Sequence, residues 1–295
     1  MAGKVLILGA HGRFGRHCAD AFQDAGWTVK AFDRSTDTLS EAARSMDIIV
    51  NGWNPPYTDW ARDVPRLTAD VIAAAQASGA TVILPGNVYV FGDGAGPTLD
   101  AATPHKATNP LGRIRIALEA AYRSAGVRTI LLRAGDFLDT TASGNWFDKI
   151  IAAKCAQGTV VSPGDPDVPH AWAYLPDMAR AVVALAERRE ALGPFEDIPF
   201  PGYTLSITQL ADLISEASGR NQKVTRMNWL PLYLASPIWP MGRKLMEMRY
   251  LWSMPHQLDG TRFAECLPDF EPTAPSVAIR KAIAHLDIHP DQTVA

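Results

Sequence analysis

Three glycines near the N-terminus have the types and spacing to do chemistry. They stand in Gly9-Ala10-His11-Gly12-Arg13-Phe14-Gly15, directly after the apolar run Val5-Leu6-Ile7-Leu8. Without a Cβ, glycines let a chain turn sharply and bring its backbone against a pyrophosphate. A helix opening at Arg13 would then aim unpaired N–H groups and a positive dipole end at the phosphates. The turn therefore predicts a dinucleotide site contacted by Gly9, His11, Gly12, Arg13, Phe14 and Gly15. A second strand follows and ends in Phe32-Asp33-Arg34. Asp33, about 24 residues past Gly9, suits hydrogen bonds from both adenosine ribose hydroxyls, which favours NAD. Arg34 suits adenine stacking or the 2′-phosphate of NADP. The expectation is NAD or NADP, with the balance toward NAD. A helix N-cap is the plainer use of Asp33.

Such a site needs a scaffold, and the first half of the chain has the pattern of one. Short apolar runs, Lys4–Leu8, Thr28–Phe32, Asp47–Val50, Thr81–Leu84 and Arg128–Leu132, alternate with helical stretches. The helices are expected over Arg13–Asp24, Val64–Ser78 and Arg113–Ser124. Continuous apolar strands joined by helical crossovers predict an α/β fold, a Rossmann-type doubly wound parallel sheet. From about residue 196 prolines and aromatics become dense, and a smaller, mainly helical C-terminal substrate region is expected there. Its helices are read at Thr208–Ser218 and Met241–Trp252. The boundaries expected are 1–195 for the nucleotide domain, with 160–180 contributing to the substrate cleft, and 196–295 for the remainder.

Composition narrows the function classes. The net charge of -3 offers no global positive field for nucleic acid or an anionic membrane. No run of about 18 apolar residues is present, so no spanning segment is expected. The three cysteines, Cys18, Cys155 and Cys266, form no metal-ligand spacing and read as small buried apolar residues, consistent with a cytoplasmic location. Metal, hydrolase and NTPase motifs are missing: there is no H-E-x-x-H, no G-x-S-x-G and no G-K-[ST] after the glycine turn.

Further motifs extend the first: Asp47-Ile48-Ile49-Val50-Asn51-Gly52, Leu84-Pro85-Gly86-Asn87-Val88-Tyr89-Val90-Phe91-Gly92, Leu132-Arg133-Ala134-Gly135-Asp136-Phe137 and Trp172-Ala173-Tyr174-Leu175-Pro176-Asp177. On these the chain resembles the extended or atypical short-chain dehydrogenase/reductase superfamily, in its nucleoside-diphosphate-sugar epimerase-like branch. The resemblance implies cofactor contacts at Gly52, Trp53, Asn54, Pro85, Gly86, Ala134, Gly135 and Phe137. It also implies a Ser or Thr followed by Tyr-x-x-x-Lys, the tyrosine moving a proton and the lysine holding the ribose. This sequence departs from that set. Asn87 takes the Ser/Thr position, Leu111 the tyrosine position and Arg115 the lysine position. Leucine moves no proton, and arginine stays protonated.

Tyr89, two residues past Asn87, is the first candidate for a replacement relay, with packing under its loop as the bland alternative. Asn87, Tyr89 and Arg115 form the catalytic set expected here, with His170 and Trp172 as substrate contacts. Lys106, Arg113 and His105 read as weaker candidates, and Asp165 and Asp167 as solvated turn residues. The function expected is an NAD(P)-dependent oxidoreductase or epimerase-like enzyme on a small carbonyl or hydroxyl substrate. A non-catalytic sensor of the NAD(P)/NAD(P)H balance is the alternative that Leu111 and Arg115 favour. The resemblance further implies a homodimer pairing through long helices such as the one after Arg113.

Overall fold

Strands with apolar residues at every position bury both faces of a sheet, and that property organises the molecule. A computed structural model describes residues 3–286. The chain begins with β1 (Lys4–Leu8), α1 (Arg13–Asp24), β2 (Thr28–Ala31), α2 (Leu39–Ala43), β3 (Ile48–Asn51) and α3 (Trp60–Ser78). It continues through β4 (Thr81–Gly86), β5 (Thr98–Leu99), α4 (Pro110–Ser124), β6 (Thr129–Arg133), β7 (Asp136–Leu138), β8 (Thr159–Ser162) and β9 (His170–Tyr174). Next come α5 (Leu175–Glu187), β10 (Phe195–Pro199), β11 (Tyr203–Leu205), α6 (Ile207–Ser218) and β12 (Lys223–Arg226). The described chain closes with α7 (Leu230–Ala235), α8 (Pro240–Glu247), β13 (Gln257–Leu258), α9 (Thr261–Cys266) and α10 (Pro275–Ile283).

Six strands form one parallel sheet in the order β2-β1-β3-β4-β6-β10. Alternate side chains sort to its two faces. Leu6, Leu8, Ile49, Val82 and Leu131 pack with α3 and α4, whereas Val5, Ile7, Ile48, Ile83 and Ile130 pack with α1 and α5. Each fully buried Leu or Ile contributes roughly 1.5–3 kcal/mol, so the two layers hold the sheet rigidly. β1 lies between β2 and β3, and the crossovers reverse direction there. In a doubly wound sheet that switch point opens a crevice at the carboxyl edge, where ligands bind. Between β2 and β3 only the five-residue α2 intervenes, so β2 is the sheet edge.

The last strand of the main sheet, β10, runs from Phe195 to Pro199 and joins it through pairing with β6. The second region also draws on earlier chain than expected. β7, β9 and β11 form a three-stranded sheet, and β8 pairs with β12. α6 and α10 pack with these strands around Trp172, Leu210, Ile214 and Ile279. It is therefore α/β in character, threaded from both halves of the chain. The helix expected over Met241–Trp252 ends at Glu247 and gives way to a 3₁₀ turn at Arg249–Trp252. That turn lets the consecutive Leu251 and Trp252 enter two different cores. Cys18, Cys155 and Cys266 are buried free thiols, with their pKa values raised chiefly by burial. Among the described residues no helix is long and apolar enough to cross a membrane.

Candidate functional site

The glycine turn sits at the switch point because each glycine there is required by close approach. Gly9 has φ +75°, a left-handed conformation that side chains disfavour. The Gly12 N–H donates to the Gly9 carbonyl at 2.8 Å. A Cβ on Gly15 would lie 2.2 Å from the Gly9 oxygen, and one on Gly52 would lie 2.8 Å from the Leu8 oxygen. The helix start and the β3 loop are thus pressed against the end of β1. Gly12 caps α1 without a side-chain acceptor, so the first-turn N–H groups stay available to an anion. His11 and Gly12 are exposed beside them. The Phe14 ring is buried against the sheet with Cys18 and Phe22. Arg13 turns aside to the Ser143 carbonyl at 2.9 Å. Neighbouring Arg16 and His17 hold Asp139, fastening the 139–145 loop to α1.

Beyond the turn, an open cleft of about 510 Å³ lies at the edge formed by β2. Phe32, Arg34, Leu39, Trp53 and Arg66 line it, and Arg34 lies over the Trp53 indole at 4.7 Å. Asp33 accepts from the Ser35 N–H at 2.8 Å and from its hydroxyl at 2.7 Å. Those hydrogen bonds hold the exposed carboxyl below its usual pKa, so it is an anion at neutral pH. It caps no helix: α2 begins after Thr38. The Gly52–Asn54 loop is positioned from below by Asn51, which accepts from the Trp53 N–H at 3.2 Å and donates to Tyr122 of α4 at 3.1 Å. Asn54 is exposed on that loop.

At the carboxyl ends of β4 and β6 the expected catalytic residues come together with two that sequence reasoning missed. Asn87 accepts from the Tyr89 N–H at 3.1 Å, capping the short 3₁₀ turn Val88–Phe91. Its side-chain oxygen is thereby partly used for structure. The Tyr89 hydroxyl lies 2.6 Å from the hydroxyl of Tyr57, a residue not anticipated. Burial raises the pKa of both phenols, Tyr89 well above the usual value, and the charge of Asp136 adds to both shifts. Tyr89 is therefore a proton donor at neutral pH, not an incipient phenolate. Arg115 is buried and donates to the Pro85 carbonyl at 2.6 Å, while its Nε–H has no protein acceptor among the described residues. Burial lowers its pKa, although an arginine remains a cation. Leu111 is fully buried in the core against α4's neighbours, so nothing at that position faces a reactant.

Asp136 is the second unanticipated residue. Its carboxylate lies 2.7 Å from Nε2 of His170, the expected substrate contact. Trp252 stacks on the His170 ring at 4.5 Å with the planes 4° apart. Trp172 is buried, and its indole N–H donates to the Leu205 carbonyl at 2.9 Å. It supports His170 from behind. Ala134 and Gly135 likewise serve packing. The Ala134 N–H is spent on the Gly86 carbonyl, and a Cβ on Gly135 would lie 2.0 Å from the Ala171 oxygen. Gly86 presses against Leu131 in the same way, and Phe137 packs beside the α1–α5 layer. Arg113 and Lys106 are exposed, as read from the sequence.

Two buried groups beneath the site fix it. Arg133, fully buried, donates to Glu119, to Asp197 and, at 2.6 Å, to the Asn87 carbonyl. The His105 ring lies 3.8 Å from Glu119, so His105, Glu119 and Asp197 form a cluster of metal-ligand types. Because the Arg133 guanidinium already occupies both carboxylates, this cluster reads as an ion-pair network. His256 lies edge-on to His170 at 4.3 Å, with Nδ1–H donating to the Met254 carbonyl at 2.8 Å and Nε2 without a partner among the described residues. Burial, with His170 adding, drives its pKa down to about 3. Unfolded, His256 would bind a proton below about pH 6.5, whereas folded it refuses one until about pH 3. Stability is therefore lost as pH falls through that window, by about 1.4 kcal/mol per unit at most. In urea melts between pH 7 and 4, His256→Gln is expected to flatten this slope. An unchanged slope would mean that His256 is not the group responsible.

No protein-family model matches the sequence, and no curated protein does either. Solved structures do match over nearly the whole chain. One is the UDP-glucuronic acid 4-epimerase of Bacillus cereus in complex with UDP-glucuronic acid and NAD. It has TM-score 0.72 and 14% identity, covering 96% of this chain and 98% of that one. MoeE5 in complex with UDP-glucose and NAD matches with TM-score 0.74, 14% identity and the same coverage. The Bordetella bronchiseptica enzyme WbmH in complex with NAD+ matches with TM-score 0.69 and 16% identity, covering 97% of this chain and 98% of that one. At such identities the likeness is one of fold: over nearly its full length this chain is similar in architecture to solved NAD-bound epimerase structures.

Proposed function

We propose that the chain is an NAD(P)-dependent oxidoreductase or epimerase-like enzyme acting on a small carbonyl or hydroxyl compound. The observation that carries this reading is the Tyr57–Tyr89 hydroxyl pair beside Arg115, at the carboxyl edge of a sheet whose glycine turn is shaped for a pyrophosphate. The chain's groups fit a dinucleotide. The uncapped start of α1 would hold the phosphates, and α4 supplies Arg115, whose Nε–H, without an acceptor among the described residues, would take a ribose hydroxyl. The ionised Asp33 favours ribose hydroxyls over a 2′-phosphate, hence NAD over NADP. When bound, the nicotinamide accepts or supplies a hydride.

The protein's share is proton handling and orientation. Tyr89 holds a proton that it gives to a carbonyl oxygen, and Tyr57, 2.6 Å away, passes it a replacement and is itself reprotonated from solvent. Asp136 orients His170, which closes the substrate side against Trp252. Two of the solved neighbours, the Bacillus cereus epimerase and MoeE5, hold UDP-sugars, but here Trp146, Trp229 and Trp252 cluster by His170. We read the substrate as partly apolar. The test is cofactor turnover with a panel of carbonyl compounds and alcohols. Tyr89→Phe is expected to cut the rate by about 10²- to 10⁴-fold with cofactor affinity kept; undiminished turnover removes Tyr89 from the relay. The fully buried Leu111 at the tyrosine position favours a second reading, a dinucleotide-responsive regulator. Cofactor binding without turnover across the whole panel would select it.

A further inference from the structure

The segment from residue 220 to 250 differs in character from the rest of the molecule. α7 and α8 pack against each other as a short hairpin, and α7 buries none of its side chains fully. The hairpin exposes Leu230 at 58%, Tyr233 at 63%, Leu234 at 66%, Ile238 at 89% and Trp239 at 43%. Among the large apolar side chains exposed on the described residues, only Val277 lies elsewhere. α7 turns Leu232 toward the core and leaves its other large apolar side chains in solvent, which marks an interaction surface.

Charge indicates what it meets. Residues 220–250 hold six basic side chains, Arg220, Lys223, Arg226, Arg243, Lys244 and Arg249, against one acid, Glu247. Glu247 is already engaged, accepting from the Leu111 N–H at 2.6 Å and from Lys244 at 3.0 Å. Exposed arginines bracket the apolar stretch: Arg226 precedes it, and Arg243 follows within one turn of Trp239, whose carbonyl accepts from the Arg243 N–H at 3.2 Å. The overall charge of -3 does not cancel this, because charges beyond about 10 Å are screened at ordinary ionic strength.

We propose that the α7–α8 hairpin docks on an anionic lipid surface. Ile238, Leu234 and Leu230 enter the acyl boundary, Tyr233 and Trp239 lie at headgroup depth, and the flanking arginines meet the phosphates. A projecting apolar tip rimmed by one sign of charge needs no shape-matched partner, which is what a bilayer offers. The hairpin also reaches the candidate site through aromatic contacts. Trp229 lies 6.0 Å from Trp146, Trp146 lies 5.3 Å from Trp252, and Trp252 stacks on His170. The proposal does not rest on the enzymatic reading.

The experiment is co-sedimentation of the full chain with vesicles of phosphatidylcholine alone and of phosphatidylcholine mixed with phosphatidylserine. Binding to the anionic vesicles is expected to exceed binding to the neutral ones at least about tenfold and to weaken with added salt. Ile238→Asp and Leu234→Asp should each lower it about tenfold or more, and Arg243→Glu about fivefold or more, with the melting temperature kept because these side chains are largely exposed. No preference for anionic vesicles overturns the proposal. So does self-association in sedimentation velocity that the same variants abolish, without vesicle binding, since a second copy would then cover the face.

Discussion

Replacing Asp136 by Asn is expected to lower turnover by about 10²- to 10⁴-fold while cofactor affinity stays within about twofold. The carboxylate lies 2.7 Å from Nε2 of His170 and contributes to the raised pKa values of Tyr57 and Tyr89. Asparagine keeps the shape and removes the charge. His170 then has a neutral amide in place of its anionic partner, and the phenols lose an anion that helped keep them protonated. The sign of the second effect is specific. Removing a negative neighbour lowers a phenol pKa toward its ordinary value of about 10, so the alkaline limb of the rate profile moves to lower pH. A merely structural role would reduce the melting temperature and leave that limb in place. Wild-type turnover in Asp136→Asn would show that the pair lies outside the chemistry.

Arg133→Ala is expected to destabilise the fold by roughly 3–5 kcal/mol, the usual cost of removing one member of a buried ion-pair set. It leaves Glu119 and Asp197 as buried carboxyls without their shared cation, and the Asn87 carbonyl without its donor. The network's own contribution is a separate matter, since taking three charged groups out of water offsets most of their attraction. The triple replacement Arg133→Met, Glu119→Leu, Asp197→Leu should therefore recover much of the loss in chemical denaturation. A single variant as stable as wild type would contradict the network's role. A triple variant no better than the single one would show that the polar groups contribute beyond filling the space.

What the sequence disclosed follows from how locally each feature is encoded. β1, β3, β4 and β6 are short runs of Val, Ile and Leu, and the Gly9–Gly15 turn carries its strand, turn and helix in consecutive residues. The pairings at the candidate site are encoded through space instead. Tyr57 sits in a Pro-rich loop and meets Tyr89 only because β3 and β4 are adjacent in the sheet. Asp136 follows Gly135 in a run already quoted for the cofactor, but its partner His170 arrives on β9, beside β7. A charged residue next to a glycine at a strand end was the available signal. A motif gives no sidedness, so the depth of Trp172 was not legible in the sequence. In β9 the His170 and Trp172 side chains share a face, and the deeper of the two is consumed by Leu205. The same limit applies to Phe14, whose ring turns into the core from the middle of the phosphate turn.

The most direct test of the account is calorimetric titration of the full chain with NAD, NADH, NADP and NADPH, alongside Gly15→Val. A Cβ at Gly15 would strike the Gly9 carbonyl at 2.2 Å, so this variant should deform the phosphate cradle. The NAD pair is expected to bind in preference to the NADP pair, and binding is expected to weaken at least about hundredfold in the variant. Binding of none of the four would contradict this expectation and leave the glycine turn as scaffold alone.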